Sequence, residues 1–153
     1  MKHILSIFVI VFCFSAVLLT GCSKNNIIDT EAVTGTVTFN GQPLEGASVA
    51  FSPKVAGQGT PASAVTDAQG KYVLQTPLGA AQAGTSQGEY IVLIRKYTQK
   101  ATGQKFKDDR GEEKEITQPV NTLPEIYSDP AKTPFSASVK PGNNTFDFDL
   151  KKE

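Results

Sequence analysis

The chain has 153 residues, with 15 basic and 15 acidic side chains and no formal net charge. That length suits one compact domain, and the balance implies no polyanionic partner, nucleic acid included. It holds one histidine, two cysteines and no tryptophan. Because these are His3, Cys13 and Cys22, the rest of the chain has no Ser-His-Asp triad, no Cys-His pair and no His or Cys zinc site.

A basic start, Met1-Lys2-His3, and an apolar run from Ile4 to Leu19 lead into Leu19-Thr20-Gly21-Cys22. The run falls short of the about 20 apolar residues that a membrane-spanning helix needs, and its layout is that of a secretory signal. The four residues resemble the lipobox of bacterial lipoproteins. That resemblance implies removal of residues 1–21 as a signal peptide and a lipid-modified Cys22 as the mature N-terminus, with the acyl chains as the membrane anchor. By resemblance to envelope sorting rules, Ser23 stands where inner-membrane retention signals carry Asp, so the outer membrane or outer surface is the expected location. His3 and Cys13 leave with the signal, so the mature chain has no histidine and no disulfide to form.

Residues 22–31 read as the lipidated cysteine and a polar tether, and the domain is expected over residues 32–153. Val33 to Phe39 alternates Val33, Gly35, Val37 and Phe39 with three threonines, the period of a strand with one buried face. Asn40-Gly41 supplies a turn able to take positive φ. Ala47, Val49 and Phe51 alternate in a second strand that Pro53 ends. Ser63–Thr66 and Lys71–Gln75 flank Asp67-Ala68-Gln69-Gly70 and predict a hairpin. Glu89 to Tyr97 is the longest β-branched and aromatic run, and its stretch Tyr90–Ile94 predicts a central strand buried on both sides. Phe135–Val139 and Thr145–Leu150 flank Lys140-Pro141-Gly142-Asn143-Asn144 and predict a closing hairpin. Between them, Thr98 to Pro134 reads as a long unstructured connection of mixed charge, a kind of segment that is usually functional or mobile. About seven short strands and no sustained helical period point to an all-β sandwich.

Three stretches in order, Gly35-Thr36-Val37-Thr38 with Gly41-Gln42-Pro43-Leu44-Glu45-Gly46-Ala47, Thr66-Asp67-Ala68-Gln69-Gly70-Lys71-Tyr72, and Gly88-Glu89-Tyr90, resemble the carboxypeptidase regulatory-like domain. The tail from Leu123 to Leu150 is similar to that of small bacterial lipoproteins carrying this domain. The resemblance implies a seven-stranded transthyretin-like (prealbumin-like) Greek-key β-sandwich with no catalysis of its own. On that frame Gly41 and Gly46 serve turns, Asp67 closes an Asx-type turn, Gly70 takes positive φ, and Tyr72 and Tyr90 fill the core. Two relatives of the fold fit poorly. The hydroxyisourate hydrolases need histidines, and the isopeptide-forming adhesin domains need a lysine in an early strand, which Val33–Phe39 lacks.

Candidate sites are few. Asp147 and Asp149 lie two apart and share one face of a strand, where an alternating strand meets solvent and where a calcium fragment would need a further acidic cluster. Lys105 to Glu115 mixes both signs without aromatic residues beyond Phe106, a pattern of a solvated loop. Tyr97 and Tyr127 are the tyrosines expected to be exposed. The reading that results is a lipid-anchored envelope protein, not an enzyme and without cofactor or metal, whose β-sandwich binds a protein partner through the 98–134 segment or a sheet edge. Carbohydrate binding is the alternative, and a glycosidase-like carboxylate pair ranks third.

Overall fold

β1 (Val33–Phe39) is the strand on which the first of two facing sheets is built. The computed structural model describes residues 29–77 and 84–152; the expected signal peptide, Cys22 and the expected tether up to residue 28 lie outside the described residues. On one side β1 pairs antiparallel with β2 (Gln42–Pro43) and β5 (Lys71–Val73). On the other it pairs parallel with β10 (Asn144–Thr145) and β11 (Phe148–Leu150), two halves of one C-terminal strand. The second sheet runs β4 (Ala62–Val65), β3 (Ser48–Pro53), β6 (Gly88–Arg95), β9 (Ser136–Val139), all antiparallel.

The alternation that marks these strands also builds the core. Val33 and Val37 from β1, Val49 and Phe51 from β3, and Tyr90, Val92 and Ile94 from β6 are buried, as are Phe148 and Leu150. Each such side chain contributes about 1.5–3 kcal/mol relative to exposure. Phe51 is the aromatic hub, with ring centroids 5.9 Å from Tyr90, 5.9 Å from Phe146 and 6.4 Å from Phe148, spacings at which tilted and edge contacts are favourable. The fold is therefore an all-β sandwich, with eleven strand segments among the described residues in place of seven: the short β2, the division of the C-terminal line into β10 and β11, and two further strands between β6 and β9 make up the difference.

Gly35 sits where the C-terminal strand crosses β1. A Cβ there would lie 1.8 Å from the carbonyl oxygen of Phe146, an oxygen that accepts a 2.8 Å hydrogen bond from Tyr72 Oη. Between the two parallel ladders the backbone bond is replaced by a side chain, since Asp147 Oδ1 accepts from both Thr36 N (2.7 Å) and Thr36 Oγ1 (2.6 Å).

Four expectations need correction. The segments around Asp67–Gly70 do not form a ladder hairpin: β4 joins β3 in one sheet and β5 joins β1 in the other, with a single bridge, Ser63 to Gln75, between their flanks. Likewise β9 and β10–β11 lie in different sheets, so residues 140–143 turn a corner of the sandwich. β6 is interior to its sheet but buried on one face only, Ile91, Leu93 and Arg95 being half-exposed, because nothing covers that side of the sheet as fully as the core does. The fourth concerns 98–134, which is not an unstructured connection. Residues 97–121 form a β-ribbon, β7 (Tyr97–Lys107) against β8 (Glu113–Asn121), followed by a 3₁₀ turn at Glu125–Tyr127.

Candidate interaction surface

The ribbon pairs with neither sheet of the sandwich, and all eleven residues of β7 are exposed. It leaves the body at the end of β6, whose Arg95 lies opposite Ser48. Its base is pinned there: Lys96 N donates to Asn121 Oδ1 (3.1 Å) and Thr122 N to Lys96 O (2.8 Å). The other pole of the sandwich is where the described chain comes in. Glu31 exchanges backbone hydrogen bonds with Thr85 (2.7 and 3.1 Å) and its Oε2 accepts from Gly142 N (2.7 Å), close to the start of β6 at Gly88. The ribbon and the N-terminal approach thus occupy opposite ends of the strands.

The tip is an Asp-x-x-Gly turn. Asp108 Oδ1 accepts from Arg110 N and Glu112 N, both 3.0 Å, Gly111 N donates to Asp108 O (2.8 Å), and Asp108 N donates to Glu112 O (3.0 Å). The same set of bonds forms at Asp67. There Oδ1 accepts from Gln69 N (2.9 Å) and Lys71 N (2.8 Å), Gly70 N donates to Asp67 O, and Asp67 N to Lys71 O (both 2.9 Å). Gly70 and Gly111 both take positive φ, 73° and 80°, a region that costs glycine little. Lys114 Nζ stands 2.5 Å from Asp108 Oδ2. That lysine, together with the Glu112 and Arg110 amides, holds the Asp108 carboxyl below its ordinary range.

Cross-strand register sorts the ribbon into two faces. One carries Tyr97, Lys105, Lys107, Glu113 and Glu115, with Lys105 opposite Glu115 and Lys107 opposite Glu113. Lys105 Nζ also reaches Glu113 Oε2 diagonally at 3.3 Å. The other carries Lys100, Phe106, Lys114, Ile116 and Val120. Phe106 and Ile116 are neighbours on that face, at 48% and 39% exposure. The strands slip register between Ala101 and Lys105, where Thr102 Oγ1 donates to Ile116 O (2.8 Å).

The residues singled out in the sequence lie elsewhere. Asn40 (φ 52°) and Gly41 (φ 76°) form the two-residue turn from β1 to β2, and Gly46 has φ 69°. Tyr72 is buried beneath β1, and its hydroxyl is pushed above its ordinary pKa by burial and by the Asp147 charge. Tyr90 is wholly buried. Its hydroxyl accepts from Thr60 N (3.2 Å), donates to Ser86 O (2.7 Å) and stands 3.0 Å from Thr85 Oγ1, tying the 54–61 and 84–88 loops together. Asp149 accepts from Thr38 Oγ1 (2.7 Å), so Asp147 and Asp149 both fasten the C-terminal strand to β1. Tyr97 is 56% exposed, but Tyr127 is not exposed: it is 8% accessible, stacked on Phe135 at 5.4 Å, with its hydroxyl engaged by the backbone of Lys151.

A shallow depression of about 430 Å³ lies on the outer face of the first sheet, lined by Thr34, Thr36, Lys71, Val73, Thr145 and Asp147 among others. It holds one acid, so it offers no carboxylate pair of the glycosidase kind. Among the described residues no group of three metal-binding side chains is present, and no helix is long and apolar enough to cross a membrane.

What these features define is a β-sandwich domain bearing an exposed β-ribbon. No family model matches the sequence, and no curated protein is similar to it. The structure is similar to that of the major pilin subunit of Bacillus cereus, at 13% identity and a TM-score of 0.36, over 80% of this chain and 29% of that one. A 9R-lipoxygenase from Cyanothece is also similar, at 13% identity and a TM-score of 0.33, over 80% of this chain and 16% of the other. The chain spans less than a third of either protein's length, and likenesses this distant carry no functional argument.

Proposed function

We propose that this is a lipid-anchored protein of the bacterial envelope whose β-sandwich is a non-catalytic module that binds a protein partner through the 97–121 ribbon. The observation that carries the reading is the ribbon itself: a long two-stranded element, exposed along all of β7 and all but the last two residues of β8, at the pole opposite the N-terminal approach. A two-stranded ribbon is marginally stable alone and leaves Phe106 and Ile116 in water, a cost that a bound partner offsets. The lipobox resemblance of Leu19–Cys22 supports the anchor, and Ser23 supports the outer membrane. The likeness of residues 33–97 to the carboxypeptidase regulatory-like domain supports a module without chemistry of its own.

Sugar binding is less well supported. Its usual platform is a row of exposed rings, and here Tyr97 and Phe106 lie on opposite faces of the ribbon. The deciding experiment is crosslinking in intact cells with the full-length protein, compared with a variant in which residues 98–120 are replaced by a two-residue turn. Recovery of a protein partner that disappears with the ribbon is the expected result. An unchanged set of crosslinked proteins would refute the reading.

A further inference from the structure

The two free edges of the ribbon differ in charge. β7 carries Lys100, Lys105 and Lys107 and no acid, whereas β8 opens with Glu113-Lys114-Glu115, directly after Glu112. Among the described residues each strand has a ladder partner on one side only, so each outer edge presents backbone donors and acceptors to whatever comes beside it.

We propose that this edge is completed by a second copy of the same chain, β7 of one copy adding to β8 of the next, a proposal that rests on reading the ribbon as the interaction surface. In an unstaggered antiparallel register, Lys105 and Lys107 of the second copy fall opposite Glu115 and Glu113 of the first. Lysine and glutamate columns then alternate across the joined sheet on one face, the favourable cross-strand arrangement. On the other face, Phe106 of one copy comes beside Lys114 of the next and extends the Phe106–Ile116 row.

The symmetric alternatives are worse. Pairing β7 with β7 sets lysine against lysine, and pairing β8 with β8 sets glutamate against glutamate. The favoured contact is therefore head-to-tail in the sense of using two different edges. Because β8 and the incoming β7 run antiparallel, the joined ribbons all point the same way, as they must for chains anchored in one membrane. Pro119, which has no amide, and the register slip before Lys105 confine the matched stretch to the outer part of the ribbon. Such a short contact is weak between free domains and gains from confinement on a membrane, where effective concentration is high.

The test uses donor- and acceptor-labelled copies of the full-length lipidated protein in phosphatidylethanolamine–phosphatidylglycerol vesicles, read by energy transfer. K105E/K107E alone and E113K/E115K alone are each expected to lose association by about ten-fold, from two attractive pairs made repulsive. Mixing these two variants restores the alternation between copies and with it the transfer, although each still repels within its own ribbon. The fourfold swap K105E/K107E/E113K/E115K keeps both kinds of pairing and associates like the parent. Undiminished transfer in the single-strand variants, or a mixture that stays apart, overturns the proposal. Absence of transfer in the parent, with another envelope protein still captured by the ribbon, overturns self-association while leaving the interaction reading intact. Unchanged crosslinking after ribbon removal overturns that reading.

Discussion

Tyr90→Phe removes one oxygen and almost no volume, so its cost isolates what the hydroxyl does. In the folded chain that oxygen accepts from Thr60 N at 3.2 Å and donates to Ser86 O at 2.7 Å, within a site where Tyr90, Thr60 and Thr85 are all buried. Phenylalanine leaves the Thr60 N–H and the Ser86 carbonyl without this partner, and a buried polar group left unsatisfied costs about 1–3 kcal/mol. Because Ser86 is only half-buried and water can reach its carbonyl, the two together give an expected loss of about 2–4 kcal/mol, or a fall in Tm of about 8–16 °C for a domain of this size. Urea denaturation and thermal melting of the protein measure both quantities. Tyr72→Phe is the internal comparison, because its hydroxyl makes one bond, to Phe146 O, and the expected loss is about 1 kcal/mol. A loss below about 0.5 kcal/mol for Tyr90→Phe, or one no larger than that for Tyr72→Phe, would refute the assignment of this hydroxyl as the fastener of two loops.

Further outcomes follow from the same geometry. Gly35→Ala places a methyl group 1.8 Å from Phe146 O and is expected to cost more than about 3 kcal/mol by displacing the C-terminal strand; near-parental denaturation would show that the strand yields freely. Asp108 has its folded pKa lowered by Lys114 and the turn amides, so its contribution is present above the ordinary carboxylate pKa and lost as pH falls through the folded value. Hydrogen exchange at Gly111 and Glu112, corrected for intrinsic rate, is expected to speed up below about pH 4 while that at Val92 stays unchanged; parallel behaviour of the three amides would contradict this. Replacing residues 98–120 by a two-residue turn is expected to shift the Tm by less than about 4 °C, because the ribbon buries none of β7 against the sandwich. Cys22→Ala is expected to leave an uncut and unlipidated precursor, detected by mass and by failure to take up labelled fatty acid.

What was readable in the sequence was whatever has a buried face. Val33–Phe39 and Ala47–Phe51 show their strands because every second residue meets the core. The partners of those strands were harder to read. Asp67–Gly70 and Lys140–Asn144 carry proper turn chemistry, but a turn within one sheet and a corner between two use the same residues, and only the packed core decides which sheet the next strand joins. The ribbon was missed for the opposite reason. A strand exposed on both faces shows no apolar alternation, so Lys105–Lys107 and Glu113–Glu115 read as solvated loop. A signal was there in Asp108-Asp109-Arg110-Gly111, which repeats the Asp-x-x-Gly spacing of Asp67–Gly70, with Lys107 and Glu113, and Lys105 and Glu115, set at equal distances on either side of Arg110.

The parallel pairing of β1 with the C-terminal strand has a consequence for how the chain acquires its shape. Val33 meets Asn144 and Phe39 meets Leu150, so the first strand must wait for nearly the last residue before its ladder is complete. Contacts this distant in sequence slow folding, because the loop between them has to be closed before any reward is felt. A chain emerging N-terminus first therefore exposes that edge of β1, and the sheet stays open to wrong partners, until residues 144–150 arrive.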